Sequence, residues 1–351
     1  MHIWYGSIVF LFLLNGVLSI TKVSIPRKNS ILLQIMFTLL FFLTVFKDNN
    51  IFNDIWAYLY AFDYSSSISW SEMLSIQDYA AGLKLETGWW FYTKILSSIS
   101  NNNIFLIVVT GAIILRSYYV FIKNYSRLPW LSIFLFISTI FYHSFFLMRQ
   151  SLAVAICLYS IPYIIDRKYV KFLLIIFIAY LLHNTAIIFA LLYFIYPKQI
   201  RIGDIVKYGV SGLVFYYLFD YTIKIAVSYY TGYEGYLYDL DIQNLTALMI
   251  SLTVLIFILI QLSPFTKLNN VERLFIVMVI LITFIDISRV GLSGTIGRIN
   301  QYFIPAIIII LPNAIHTMRS KIMKFYSTSA VIILYFIMMV NQMNYGFKLA
   351  F

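Results

Sequence analysis

Eleven apolar runs limit what this chain can become: they lie near residues 1–21, 29–46, 104–122, 128–143, 145–165, 172–196, 205–222, 244–263, 274–288, 299–315 and 325–344. Most match the roughly 20 residues an α-helix needs to cross the hydrocarbon of a bilayer. Only 11% of the residues are charged and the mean hydropathy is +0.86, whereas a soluble domain carries about 25% charged residues. Too few charges remain to solvate a globule. The reading is an all-α polytopic membrane protein, a single integral-membrane domain over residues 1–351, with roughly 11–12 transmembrane or membrane-inserted helices. The first run lacks the basic flank of a signal peptide and reads as a retained helix.

The net charge of +11 reports topology rather than an affinity for nucleic acid. Clusters at Lys22/Arg27/Lys28, Arg116/Lys123/Arg127, Arg167/Lys168/Lys171, Lys198/Arg201/Lys207, Lys267/Arg273 and Arg319/Lys321/Lys324 hold 17 of the 25 Lys and Arg residues. Basic loops face the cytoplasm. Residues 172–196 are too short for two crossings. As one crossing they leave the basic residues split 13 to 12; as a short helical hairpin with His183-Asn184 at its tip they split 17 to 8. The hairpin is therefore expected. It puts the termini outside, together with a long polar segment at 47–103, in which 88–100 is an amphipathic helix candidate.

Some charges do not serve topology. Arg149 follows a short turn and opens the helix MRQSLAVAICLYSI, where a guanidinium beside unsatisfied backbone N–H groups forms an anion site. Arg289 and Arg298 bracket RVGLSGTIGR, whose glycines let the backbone approach a ligand. These arginines either hold an anion or snorkel to the interface and pair with carboxylates such as Asp286. His183, an ionisable group at an apolar hairpin tip, is a proton-transfer candidate or a structural tie across the turn. In the outer segment stand Asp54, in NDIWAYLYAF, and Glu86, in LETGWW. A carboxylate beside Trp89 and Trp90 suggests a base next to a sugar-stacking platform, although tryptophan also marks bilayer interfaces.

Several chemistries lack a basis. Cys157 is the one cysteine, which excludes a disulfide framework and a CxxC site. There is no HExxH and no histidine cluster, so no metal site is expected; Asp239-Leu240-Asp241 alone does not make one. No phosphate-binding P-loop or dinucleotide fingerprint occurs, and no cofactor is expected.

The block FFLMRQSLAVAICLYSIPYIIDRKYVKFLLIIFIAYLLHNTAIIF (145–189) resembles the EpsG family of bacterial membrane polysaccharide polymerases, relatives of the Wzy-type O-antigen polymerases. The Asp54, Tyr58, Phe62 spacing, the Glu86-Thr87-Gly88-Trp89 element and GRINQYFIPAIIIILP (297–312) extend the likeness over most of the chain. The family usually carries an arginine shortly before the Asp54 position. This chain reads FKDNNIFND there, with Lys47 one residue out of place, and Lys47 is assigned no site role.

The resemblance implies a processive, metal-independent glycosyltransferase in the bacterial inner membrane, its site facing the periplasm or exterior. It would transfer a growing glycan from undecaprenyl pyrophosphate to the non-reducing end of a single lipid-linked repeat unit. Expected partners are those lipid-linked glycans and membrane lipids, with a chain-length regulator and a flippase as candidates. Arg149 and Arg298, with Arg289 as a weaker third, would bind pyrophosphate. Glu86 or His183 would be the base, Asp54 would position the acceptor or orient the base, and Trp89 and Trp90 would stack on sugar. The rival readings are a flippase or transporter of lipid-linked oligosaccharide and a glycan ligase using the same donor.

Overall fold

The computed structural model describes residues 2–47, 53–76, 79–80, 82–197, 242–262, 268–289 and 297–348. The apolar run at 205–222, the Asp239-Leu240-Asp241 pair and the middle of the glycine-containing stretch, 290–296, lie outside them. Helices dominate, as the composition requires. Among the described residues three are long and apolar enough to cross a membrane, Ile25–Val45, Ile104–Tyr125 and Lys321–Asn341. Shorter apolar helices accompany them. The chain divides into two compact units, Met1–Ala190 with Phe325–Phe351, and Leu191–Lys324.

The first unit opens with α1 (His2–Ile20) and α2 (Ile25–Val45), the latter started by Pro26 in its first turn, where a missing N–H costs nothing. The outer segment then folds as α3 (Asn53–Ser67), the short α4 (Trp70–Leu74) and a two-residue hairpin, β1 (Tyr79–Ala80) with β2 (Leu83–Lys84). Helix α5 (Thr87–Ser97) is the amphipathic segment expected at 88–100. Then come α6 (Ile104–Tyr125) and α7 (Pro129–Phe136), which runs through a π-helical turn at Ile137–Phe141 into the brief α8 (Tyr142–Ser144).

Beyond a turn at Phe145–Leu147 lie α9 (Met148–Leu158), α10 (Ile161–Ile165) and α11 (Tyr169–Leu182). Helix α11 ends at His183, whose φ of −159° and ψ of 114° are extended. A 3₁₀ segment, Asn184–Ala190, then packs against α11 and α9. The helix therefore breaks at the residue expected for the hairpin tip.

Four tertiary features hold the site's scaffold. Helices α2 and α6 cross closely at Gly111, where a Cβ would stand 2.8 Å from the Thr44 methyl carbon. Trp4 of α1 packs edge-on against Phe141 and Tyr142 and at a tilt against Phe145, with ring centroids at 5.1, 5.8 and 4.8 Å. That cluster covers the π-helical turn and the start of the bend before α9. Buried Lys94 of α5 donates to the Ser65 and Ile68 carbonyls at 3.0 and 2.5 Å, satisfying orphan carbonyls at the C-terminal end of α3. Ser65 and Thr93 hydroxyls, 2.8 Å apart, join the same two helices.

The second unit holds α12 (Leu191–Ile195), α13 (Ile242–Gln261), α14 (Asn270–Arg289), the short α15 (Gly297–Asn300) and α16 (Ile307–Thr317), which a 3₁₀ turn at Ile304–Ala306 precedes. Helix α14 begins with a reciprocal cap. The Asn269 side chain accepts from the Glu272 N–H at 2.8 Å, and the Glu272 carboxylate accepts from the Asn269 N–H at 3.1 Å. The last helix, α17 (Lys321–Lys348), lies mainly in the first unit, where Phe336 meets Tyr5 of α1.

Candidate active site

Glu86 is the N-cap residue of α5, with φ −61° and ψ 142°. Its carbonyl takes the first helical bonds, from the Trp89 and Trp90 N–H groups at 2.9 and 3.3 Å. Its side chain makes no capping bond, as expected of glutamate, which is not among the preferred cap residues. The carboxylate is thus left for tertiary partners while remaining at the favourable, positive end of the helix dipole.

Both of its oxygens are used. Oε1 meets His183 Nδ1 at 2.7 Å and also takes the Asn184 N–H at 3.4 Å. Oε2 is paired with the Arg149 guanidinium. Burial pushes the Glu86 carboxyl up, but the His183 hydrogen bond and the Arg149 charge outweigh it and hold the group below its ordinary value.

Each partner is placed by the way its own element ends. Arg149 sits in the first turn of α9, directly after the non-helical Leu147, as the sequence implied. His183 sits where α11 stops, its N–H still bonded to the Ala179 carbonyl at 3.0 Å. Helices α5 and α11 reach the required closeness at Gly88. A Cβ there would lie 2.3 Å from the Leu181 carbonyl oxygen, so only glycine lets Glu86 approach His183. Gly88 was read only as part of a motif; its position one residue inside a helix N-terminus was the available signal.

Tyr58 completes the cluster. This buried residue on α3 hydrogen-bonds Arg149 through its hydroxyl, and the Arg149 guanidinium carbon lies 5.5 Å from its ring centroid. Burial, chiefly, raises the Tyr58 hydroxyl, so it stays protonated. The sequence offered Tyr58 only as a spacing mark. Its i+4 relation to Asp54 was the signal that the two share one helix face.

The remaining expected residues are placed differently. Asp54 is exposed, one turn before Tyr58 on α3. Trp89 and Trp90 are both 0% exposed. Trp89 packs between Tyr58 and Tyr92, with centroids at 5.2 and 5.4 Å, and Trp90 packs edge-on against Tyr64 at 5.8 Å. The expected sugar-stacking role is therefore corrected: neither indole presents a face, because α5 is amphipathic and both rings lie on its packed side. Arg289 and Arg298 belong to the second unit. Arg289 ends α14, and the exposed Arg298 is the second residue of α15. In that unit the buried Asp286 carboxylate accepts from the Asn300 amide at 2.6 Å. Among the described residues no three His, Cys, Asp or Glu side chains gather as a metal site would require.

The decisive comparison is with protein families: the model of the EpsG family matches residues 30–350. The chain belongs to the EpsG family. Membership points broadly to a glycosyltransferase-like polysaccharide polymerase, in keeping with the apolar helices of a membrane protein. No curated protein and no solved structure matches the chain. In this EpsG-family member the Glu86, His183, Arg149 and Tyr58 cluster gathers residues from four elements, α3, α5, α9 and the end of α11.

Proposed function

We propose that this protein polymerises a surface polysaccharide from repeat units linked to undecaprenyl pyrophosphate, on the outer face of the bacterial inner membrane, and that the Glu86–His183–Arg149 cluster carries the transfer. The observation behind this reading is that one carboxylate bridges an imidazole and a guanidinium. A base for an attacking hydroxyl and a cation for a departing pyrophosphate are what the transfer needs.

Glu86 and His183 then take different roles. With both carboxylate oxygens occupied, Glu86 is the orienting group. It accepts Nδ1–H from His183, which selects the tautomer whose Nε2 has a free lone pair. His183 Nε2 takes the proton from the acceptor sugar hydroxyl as that oxygen bonds to the anomeric carbon of the growing glycan. The bond from this carbon to the pyrophosphate oxygen breaks, and undecaprenyl pyrophosphate leaves with the electron pair. Arg149 stabilises the charge that develops on it. Among the described residues its buried Nε–H finds no hydrogen-bond partner, an uncommon and costly condition that suits a donor for a phosphate oxygen. Tyr58 and Glu86 hold the guanidinium between them.

The test is the purified protein in lipid nanodiscs, given the lipid-linked repeat unit that accumulates in its host when the protein is deleted, with EDTA present, and run on a gel. A ladder is expected. A single added glycan on a different acceptor identifies a ligase, and unchanged substrate with lipid movement across the bilayer identifies a flippase; either result overturns the reading.

A further inference from the structure

Lys47, two residues beyond the end of α2, lies next to the site without belonging to it. Its ammonium nitrogen donates to the Phe145 carbonyl at 2.7 Å, across 98 positions of sequence, and sits 5.2 Å from the centre of the Phe145 ring. Phe145 begins the three-residue turn from which α9 starts with Met148 and Arg149. The lysine borders a small gap lined by Thr44, Thr110, Gly111, Ser144 and Met148, hydroxyls and apolar groups from α2, α6, α8 and α9.

Neither topology nor packing demands a cation here. The turn's backbone hydrogen bonds, from Phe145 N–H to the Tyr142 carbonyl and from Leu147 N–H to the His143 carbonyl, at 3.1 and 2.9 Å, are short-range, and Trp4 of α1 packs on its Phe145 ring. The Lys47 bond ties that turn to a distant helix.

We propose that Lys47 is a positioning residue for the Arg149 site, pinning the Phe145–Leu147 turn to the end of α2 so that α9 begins with its guanidinium against Glu86 and Tyr58. The consequence for the transfer rests on the function proposed above; the pin itself does not.

The pin carries a pH signature. Burial pushes the Lys47 amine down to about 7, from 10.5. None of the residues lining the gap with it is titratable. The titratable groups bonded to the lining residues or next to them in sequence are Tyr92, whose hydroxyl pairs with Thr110 at 2.9 Å, His143, whose Nδ1 meets the Thr139 carbonyl at 2.9 Å, Asp48, Arg116 and Arg149. Opening the turn to water lets Lys47 bind a proton that the closed form does not hold between about 7 and 10.5. Opening is therefore easiest near and below pH 7, and becomes harder by up to roughly tenfold per unit as pH rises above it.

The experiment is amide hydrogen exchange over residues 143–151 in nanodiscs, corrected for intrinsic rates, at pH 7 to 9. It compares wild type, Lys47→Met and Lys47→Arg, with transfer kinetics on the same samples. In wild type, protection is expected to rise with pH. Lys47→Met should be flat with pH and about tenfold less protected, the loss of one half-buried hydrogen bond. Lys47→Arg, which stays charged throughout, should be flat and poorly protected. Both variants should lower kcat more than they raise KM, as loss of a transition-state contact does.

Protection in Lys47→Met that matches wild type overturns the pin. Lost protection with unchanged kcat overturns its positioning role. If Arg149→Ala also leaves transfer intact while Lys47→Met still loses its protection, the proposed function fails and the pin stands.

Discussion

Glu86 and His183 are 97 positions apart and meet at 2.7 Å, through the carboxylate Oε1 and the imidazole Nδ1. Because the same carboxylate also holds Arg149, the proposed transfer has it orient two groups and leaves the proton to His183. Glu86→Gln should retain a residual rate, since an amide oxygen can still accept from Nδ1–H, while His183→Ala should lose about 10²–10⁴-fold in kcat, the usual worth of a general base. Polymer yield per unit time for the two variants, at equal protein, checks the order; Glu86→Gln falling below His183→Ala contradicts the assignment.

The same contact sets an acid limit. Glu86 is held below its ordinary value in the folded protein. A depressed carboxylate contributes stability above its unfolded pKa of about 4, and that contribution is lost as pH falls through the lower, folded value. Thermal unfolding in detergent should therefore show a wild-type loss of stability below about pH 4 that is smaller in Glu86→Gln.

Arg149 offers a test of shape against charge. Lysine retains the cation but not the planar fork that reaches Glu86 and a phosphate together. Both Arg149→Lys and Arg149→Ala should depress chain extension by tenfold or more, an effect on the order of 1.4 kcal/mol or larger. Near-normal ladders from Arg149→Lys would count against a bidentate role.

Gly88 controls the approach of α5 to α11. Alanine would place a carbon 2.3 Å from the Leu181 carbonyl oxygen, which is backbone and cannot rotate away. Gly88→Ala should destabilise the protein by about 1–3 kcal/mol, the usual range for overpacking, and abolish extension by parting Glu86 from His183. The melting temperature and the ladder, measured together, read both effects; an unchanged melting temperature contradicts the packing.

Trp89 and Trp90 separate burial from sugar contact. As core residues, each replaced by leucine should lower the melting temperature while leaving KM for the lipid-linked repeat within about twofold, since the lost ring contacts are worth on the order of 1 kcal/mol each beyond area burial and act on the fold. A large KM increase at full stability would restore the stacking role.

Much of this protein was legible in the sequence because the signals are local. Hydropathy located the apolar helices, from His2–Ile20 to Lys321–Lys348, though not α3 and α4, which lie in the polar segment at 47–103. The turn before Arg149 and the His183-Asn184 break were readable because helix ends are set by a few neighbouring residues. The EpsG resemblance rested chiefly on one contiguous block, with shorter pieces before and after it. What the tertiary structure alone decided are the pairings: Glu86 shared between His183 and Arg149, Tyr58 against Arg149, Lys47 on the Phe145 carbonyl, and both indoles turned inward. Helices apolar on every side, such as α7 and α11, carry no stripe that names the inward face, so sequence pattern specifies that they pack but not against what. The choice is made by close approaches at Gly88 and Gly111 and by the few polar groups that must find one another away from water.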